Sequence, residues 1–258
     1  MIEVQPASTV ILARDGASGL EVLLLERRPD SGFVPGAFVF PGGAVDPADH
    51  AADVLALCDG PDDARASREL GLPAGGTAYR VAAAREAFEE AGILLAATAD
   101  APCDPEIVER LQAERRRLDD GEIDLAAILR PHGLRLTTSV LRPFAHWTTP
   151  EGAPRRYDTR FFVAAAPAGQ PASACQREVV SSCWLAPLHA LERFQRGDLP
   201  LILPTERCLH AIAAFAAVDE LLAALDADLA HPDGPRHVVD RGGRRLLLEA
   251  AAAQGSRA

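Results

Sequence analysis

The chain has 258 residues, 48% of them hydrophobic and 24% charged, and a formal net charge of −11. This length is enough for a large core without disulfide bonds, and the negative charge argues against an extended nucleic-acid-binding surface. The first residues do not resemble a signal peptide, no apolar stretch predicts a membrane span, and the five cysteines lack zinc-like spacing, so we expect a cytoplasmic protein with reduced thiols.

The first predicted elements are two strands and a glycine turn. Residues 8–14 and 21–26 are predicted to pair as antiparallel strands, joined by the turn at 15–19. Residues 38–40 are predicted to form a short strand that runs into Gly42 and Gly43, where the backbone can turn sharply and offer a bare carbonyl. A glycine pair alone indicates only a turn.

A helix over residues 78–91 follows, with Thr77 as its expected N-cap and Gly92 as its C-terminal stop. One arc of this helix carries Glu86, Glu89 and Glu90, and the opposite arc carries Val81, Ala84, Phe88 and Ala91. Glu86 and Glu90 repel each other in an isolated helix, and a hard divalent cation between them would remove that repulsion. The alternative is a solvated face of a surface helix.

The remaining elements alternate between helices and strands. Helices are predicted at 105–118 and 122–129, strands at 135–141, 157–165 and 179–185, helices at 189–196 and 206–224, and a closing hairpin at 236–239 and 244–249. The Ala- and Leu-rich tail predicts helices that pack on the sheet or form the surface of a homodimer.

The segment from Arg85 to Ile93 reads Arg-Glu-Ala-Phe-Glu-Glu-Ala-Gly-Ile and resembles the second half of the Nudix box. The first half would begin at Gly43, but Asp49 stands where the box has a glutamate. Gly43 and Arg85 lie 42 positions apart, which implies an insertion of about 28 residues at roughly 50–77. Its Pro, Gly and Asp content predicts that the insertion loops out before the helix begins.

This split box resembles a Nudix subgroup typified by the mammalian peroxisomal CoA diphosphatase, as do residues 23–29, 32–43, 146–150 and 154–162. The resemblance implies an α/β fold, the Nudix α/β/α sandwich, with an insertion inside the box and a C-terminal helical extension. We expect the Nudix domain at 1–190, with the insertion at about 50–77 and a helical accessory lobe at about 105–130. Residues 191–258 are expected to form the extension, with a terminal hairpin, packed on the same domain.

The resemblance also implies a hydrolase that uses Mg²⁺ or Mn²⁺ to cleave the pyrophosphate bond of a small nucleotide substrate. It implies that Glu86, Glu89 and Glu90 are catalytic metal ligands, joined by the main-chain carbonyl of Gly42, and that Arg85 orients a neighbouring glutamate. Glu86 is the position used in the family either as a ligand or as the base that activates water. Asp158 and Glu178 are candidates for a base from a later part of the chain.

CoA or an acyl-CoA is the favoured substrate, although Gly32 stands where many CoA-cleaving members have an arginine. The alternatives are an ADP-ribose or dinucleotide pyrophosphatase, and a catalytically silent Nudix domain that senses a ligand. No membrane partner is expected.

Two arginine clusters differ in their surroundings. Arg155 and Arg156 flank an aromatic, strand-like run, so they could bind phosphate while Tyr157 or Trp147 stacks on a base. The alternative is an ordinary hairpin with Trp147 in the core. The second cluster, Arg110 and residues 115–117, alternates with acids at helical spacing and is interpreted as a solvated, salt-bridged face without a functional role.

Overall fold

A mixed sheet of nine strands forms the centre of the fold in our computed structural model, which describes residues 3–30, 34–229, 238–240 and 244–246, the last two segments as backbone only. The strands of this sheet are β1 (Val4–Gly16), β2 (Gly19–Arg27), β3 (Phe38–Val39), β4 (Gly42–Ala44), β7 (Arg142–Thr148), β8 (Arg156–Ala165), β9 (Val179–Leu185), β10 (Val238–Asp240) and β11 (Arg244–Leu246). Two further strands, β5 (Ala96–Ala97) and β6 (Arg135–Leu136), pair with each other in a separate small sheet.

The long strand β1 organises this sheet. It runs parallel to β8 over its length, while its end pairs with β2 and its beginning pairs with β4, both antiparallel. The predicted strand pair near the N-terminus is therefore confirmed, and the predicted short strand at 38–40 is confirmed as β3. Residues on β1 alternate between two cores: Val10 and Leu12 face one, whereas Ile11 and Ala13 face the other.

Helices cover both faces of the sheet. In chain order they are α1 (Ala52–Leu55), α2 (Asp63–Leu70), α3 (Gly76–Ala91), α4 (Pro105–Leu111), α5 (Arg115–Asp119), α6 (Leu125–Leu129), α7 (Pro187–Gln195), α8 (Leu203–Ile212) and α9 (Val218–Leu229). The first core lies between the sheet and α3, and the second lies between the sheet and α7–α9. This arrangement is the predicted α/β/α sandwich, with apolar side chains on both faces of its central strands.

The insertion at 50–77 does not loop out, so that prediction is wrong. It forms α1 and α2, which bury Val54 and Ala66 against the first core and α3. Asp62 caps α2 by accepting a hydrogen bond from the amide of Arg65. The predicted N-cap of α3 is also wrong: Gly75 is the N-cap, and Thr77 lies in the first turn. Short helices separated by Pro and Gly leave too little periodicity to recognise.

Other boundaries also differ from the predictions. The predicted helix at 105–118 is interrupted by a 3₁₀ turn at 112–114, and that at 206–224 is divided into α8 and α9. The predicted strand at 135–141 is limited to β6 and a 3₁₀ turn, and the next strand, β7, was not predicted. Propensity cannot place such boundaries, because tertiary packing decides where each short element ends.

The C-terminal part continues the sandwich. The predicted hairpin is confirmed as β10 and β11 in backbone pairing, and β11 adds to the sheet beside β7; the rest of both predicted strands lies outside the described residues. The division into domains at 190 stays a prediction, and so does a homodimer. No helix in the described part of the chain has the length and apolar character of a membrane span.

We predict that Arg80→Ala destabilises the fold strongly. The guanidinium of Arg80 is buried, pairs with Glu69 of α2 at 2.5 Å, and donates to the carbonyls of Thr138 and Leu141. Removing one partner of a buried ion pair typically costs about 3–5 kcal/mol, because the other groups lose their partner while remaining buried.

The matched control is Arg65→Ala. Arg65 pairs with the same Glu69 at 2.9 Å, but its side chain is 66% exposed, so this variant should lose less than about 1 kcal/mol. Urea unfolding measures both variants. Equal losses would contradict the structural role assigned to Arg80.

Candidate functional site

Helix α3 is buried on all sides, including the arc that carries its glutamates. Every residue from Gly76 to Ala91 is buried, and Glu86, Glu89 and Glu90 are no more than 9% exposed. The helix ends at Gly92, whose φ of +70° suits glycine, as predicted. The alternative of a solvated surface helix is therefore wrong. Burying a carboxylate is unfavourable unless it is hydrogen-bonded or paired with a positive charge, so these three acids require such partners.

Arg85 provides several of these hydrogen bonds and ion pairs. The Nη1 atom of Arg85 donates to Glu86 at 2.8 Å and to Glu89 at 2.6 Å. Its Nε and Nη2 atoms donate to the two carboxylate oxygens of Asp49 at 3.0 and 3.1 Å, and Nη2 also donates to the carbonyl of Ala44 at 2.8 Å. Arg85 thus orients neighbouring acids and ties α3 to the end of β4.

Asp49 occupies the position where the Nudix pattern expects a glutamate. It is 1% exposed and lies at the end of a 3₁₀ turn, Pro47–His50, immediately before the insertion. Its carboxylate also accepts a hydrogen bond from the amide of Asp46 at 2.8 Å. The acid that precedes the insertion therefore reaches Arg85 even though 36 positions separate the two residues.

The two predicted glycines lie directly against the acids. The amide of Gly42 donates to Oε2 of Glu90 at 3.0 Å, whereas Oε1 of Glu90 is buried and has no hydrogen-bond partner among the described residues. A Cβ atom at Gly43 would lie 2.3 Å from Oε1 of Glu86, so any other residue would force the Glu86 carboxylate to move. Residues 42–43 therefore bring bare backbone against the α3 carboxylates.

Burial perturbs all three glutamates in the same direction. It raises the pKa of Glu86 to about 7 and that of Glu89 to about 8, and in both cases it outweighs the opposing effect of Arg85. The pKa of Glu90 is raised well above its usual value by burial and by the nearby charge of Glu86. One guanidinium is thus insufficient to stabilise these three buried glutamates in their charged forms.

The chemistry of these side chains fits a hard divalent cation. Mg²⁺ and Mn²⁺ prefer carboxylate and carbonyl oxygens, and Oε1 of Glu90 is a buried acceptor without a partner. Among the described residues, no three Asp, Glu, His or Cys side chains converge as a ready metal cluster. Nη1 of Arg85 lies between Glu86 and Glu89, so those two would hold an ion only after a change in their side-chain positions.

The acids line one part of a cavity of about 980 Å³. Its floor crosses four strands, because Trp147 pairs with Thr159, Thr159 with Ala7, and Ala7 with Ala44. Three strand spacings separate Trp147 from Ala44, which corresponds to roughly 14 Å. The cavity can therefore hold two distant parts of one ligand.

The predicted substrate-binding residues lie mainly away from the acids. Arg155, Tyr157 and Trp147 line the cavity, and Arg155 is exposed. Trp147 is 5% exposed and also packs in the second core, so the two interpretations offered for it are compatible. Arg156 is not among the lining residues; its Nε atom donates to the carbonyl of Thr149 at 3.1 Å.

The structure separates the two candidates for a late acid. Glu178 lines the cavity, and its charge raises the pKa of both Glu86 and Glu90. Asp158 lies on the face of β8 opposite to Tyr157 and Thr159, which line the cavity. There it contacts His146 and accepts hydrogen bonds from Thr148 and Arg160. These contacts keep the pKa of Asp158 below its usual value, although partial burial acts to raise it. Asp158 is not a cavity residue.

Several lining residues were not predicted from the sequence. Arg27 ends β2 and Arg28 follows it, Arg177 precedes Glu178, and residues 202–204 lie at the beginning of α8. No motif marks them, because their proximity arises only when distant strands and helices meet. The available signals for Arg27 and Arg28 were their position at the end of the apolar run of β2 and the resemblance of residues 23–29 to the Nudix subgroup.

Comparisons with known proteins identify relatives of this architecture. A family model described as the NUDT19 Nudix domain matches residues 60–207, more than half of the chain. The chain is 32% identical to the human acyl-coenzyme A diphosphatase NUDT19 and 30% identical to that of Gallus gallus, in each case over 80% of this chain and 64% of the relative. It therefore spans less than two thirds of the length of these relatives.

A solved structure of a Nudix hydrolase from Alicyclobacillus acidocaldarius is also similar. Its TM-score is 0.68 at 29% sequence identity, and the alignment covers 86% of this chain and 97% of that one. The sandwich described above is therefore shared with an experimentally determined Nudix structure.

We predict that, in the presence of a chelator, the free energy of unfolding falls as the pH rises from about 5 to 8. Because the pKa values of Glu86 and Glu89 are raised in the folded chain, it holds more protons over this range than the unfolded chain. Deprotonation therefore favours unfolding, by about 1.4 kcal/mol per pH unit for each group that is protonated in the folded chain and ionised in the unfolded chain.

Urea unfolding at several pH values measures this slope. Glu89→Gln should reduce it, whereas Glu122→Gln, at a side chain that is 60% exposed, should keep the slope of the unmodified chain. A free energy of unfolding that rises over the same range, or a Glu89→Gln slope equal to that of the unmodified chain, would contradict the account.

Proposed function

Because the chain belongs to the Nudix hydrolase family, as a member of the NUDT19 Nudix domain group, we propose that it hydrolyses the pyrophosphate bond of a nucleoside-diphosphate-linked compound. The observation that carries this proposal is the cluster of four buried carboxylates around Arg85 at one part of the 980 Å³ cavity. We favour CoA or an acyl-CoA as the substrate, since the relatives named above are acyl-coenzyme A diphosphatases.

Nudix hydrolases generally use divalent metals, and Glu86, Glu89 and Glu90, with the carbonyl of Gly42, are the groups that would hold Mg²⁺ or Mn²⁺ here. Such an ion supplies charge neutralisation for the two phosphates and a more acidic water. Arg85 would keep Glu86 and Glu89 on the cavity side of α3. The buried surroundings strengthen these electrostatic interactions, because little water screens them.

Glu178 is our candidate for the general base. It enters the cavity from the chain segment before β9, and its carbonyl accepts a hydrogen bond from the amide of Arg28 at 3.0 Å. In the proposed reaction a water oxygen attacks one phosphorus atom while the bridging P–O bond breaks. Glu178 takes the proton of that water, and two phosphate-ended products leave.

The rest of the cavity supports a substrate with two distant parts. Arg155 can bind phosphate oxygens, and Tyr157 offers an aromatic ring beside it. Ile202, Leu203 and Pro204 add an apolar wall, and Leu203 is 41% exposed. An apolar wall suits the pantetheine or acyl part of CoA compounds better than the second nucleoside of a dinucleotide. Gly32, at the position of the CoA-associated arginine, lies outside the described residues.

We predict that Glu89→Gln combined with Glu90→Gln lowers kcat by about 1000-fold, because a metal contributes several kcal/mol of transition-state stabilisation and each factor of ten corresponds to about 1.4 kcal/mol. The assay follows pyrophosphate cleavage at saturating Mg²⁺. Glu122→Gln is the matched control and should retain the kcat of the unmodified chain. Full activity in the double variant would count decisively against the proposed site.

A second prediction separates the two late acids. Glu178→Gln should lower kcat by about 100- to 1000-fold with little change in KM, because general-base catalysis typically contributes about 10²–10⁴-fold. Asp158→Asn should stay within about threefold of the unmodified kcat, since Asp158 lies outside the cavity. Both kinetic constants are measured with the same substrate; the reverse pattern would assign the base to Asp158.

The substrate preference is tested with a panel of CoA, an acyl-CoA, ADP-ribose, NADH, diadenosine polyphosphates and nucleoside triphosphates, each assayed with Mg²⁺ and with Mn²⁺. We expect the highest kcat/KM for a CoA compound. Activity restricted to triphosphates would overturn the CoA assignment, and a preference for ADP-ribose or NADH would replace it with the alternative pyrophosphatase.

A further inference from the structure

Arg115 belongs to the arginine cluster that the sequence indicated to be a solvated face, but its guanidinium is directed inward. Nη2 of Arg115 donates to the main-chain carbonyl of Glu89 at 2.9 Å and to that of Ser173 at 2.9 Å. Nη1 donates to the hydroxyl of Ser173 at 2.8 Å and to the side chain of Gln112 at 2.9 Å. One side chain on α5 thus joins the last turn of α3 to a distant segment of the chain.

That segment, residues 173–178, leads into the cavity. The amide of Ser173 donates to the carbonyl of Ala91 at 2.8 Å, and the amide of Cys175 donates to the carbonyl of Glu90 at 3.1 Å. The same segment then supplies Cys175, Arg177 and Glu178 to the cavity lining. Its beginning is therefore fixed to the end of α3, and its end carries the acid that faces the α3 glutamates.

We propose that Arg115 is a positioning residue for pyrophosphate hydrolysis, which sets the separation between Glu178 and the carboxylates of α3. This inference rests on the proposed function. The guanidinium acts through two main-chain carbonyls, one on α3 and one on segment 173–178, and Arg115 is not among the residues that line the cavity. A planar group with several donors can hold two carbonyls in a fixed relation, which a single ammonium cannot do as well.

The cost of burying this side chain supports a role beyond stability. Nε of Arg115 is buried and has no hydrogen-bond partner in the part of the chain that the structure describes. An unpartnered buried donor is unfavourable for folding, so packing alone would favour an apolar residue at this position. Three of its four hydrogen bonds go to α3 and segment 173–178, and the fourth goes to Gln112, whose side chain donates to the carbonyl of Gly92.

The test compares Arg115→Ala, Arg115→Lys and the control Arg116→Ala, whose side chain is 90% exposed and lies 3.9 Å from Asp120. Arg115→Ala should lower kcat by about 100-fold while KM changes less than about threefold, because misplacement of a catalytic group by about 1 Å has effects of this size. Arg115→Lys should lose roughly tenfold. Arg116→Ala should match the unmodified chain.

Two further readouts separate positioning from a general loss of structure. Millimolar guanidinium ion should restore part of the activity of Arg115→Ala and have no such effect on Arg116→Ala. In a Glu178→Gln background, Arg115→Ala should cost little further activity, because both changes remove the same contribution. Full additivity of the two losses, or unmodified kcat in Arg115→Ala, would overturn the proposal.

Hydrogen exchange provides a test that does not depend on activity. The amides of residues 173–178 should exchange faster in Arg115→Ala than in the unmodified chain, while those of β1 and β8 stay unchanged. If the unmodified chain cleaves none of the panel compounds, the proposed function fails. The hydrogen-exchange rates then still test whether Arg115 fixes segment 173–178 to the end of α3. Unchanged exchange in residues 173–178 would contradict the positioning role in either case.

Discussion

The rest of the structure depends on the burial of four carboxylates around the guanidinium of Arg85. Asp49, Glu86 and Glu89 contact Arg85 directly. Glu90 lies beside them, with one oxygen bound by the amide of Gly42 and the other without a partner in the described part of the chain. Burial disfavours the charged forms of Glu86, Glu89 and Glu90, and the guanidinium of Arg85 does not offset this effect. Such an arrangement is unfavourable for folding alone, and it becomes useful where additional positive charge, from a metal ion, is to be bound.

The fold is organised so that this cluster keeps its geometry. The sheet places bare glycine backbone against Glu86 and Glu90, and the helices of the insertion pack on α3 from the other side. The 28-residue insertion therefore leaves the two halves of the box in contact, because Asp49 reaches Arg85 across it. Residues 202–204, from the C-terminal helical part, line the same cavity, so this part of the chain contributes to the proposed site as well as to the second core.

Local sequence patterns were sufficient to predict part of the fold and of the candidate site, but not all of it. The spacing of Glu86, Glu89 and Glu90 and the stop at Gly92 identified α3, because helix periodicity and glycine chemistry act over a few residues. The packing of the insertion, the inward direction of the Arg115 guanidinium and the different surroundings of Asp158 and Glu178 could not be predicted, because each depends on which distant segments meet. Arg115 is the clearest example: its neighbours in sequence have the alternating charges of a surface helix, whereas its own guanidinium binds the carbonyl of Glu89.

The most direct measurement of the central claim is a calorimetric titration of the chain with Mn²⁺. If the buried carboxylates form a metal site, the unmodified chain binds Mn²⁺ saturably, and Glu90→Gln weakens that binding by at least about tenfold, while Glu122→Gln leaves it unchanged. Absence of binding by the unmodified chain would contradict the account and favour a catalytically silent Nudix domain. Equal binding by Glu90→Gln and the unmodified chain would contradict the assignment of the site to α3.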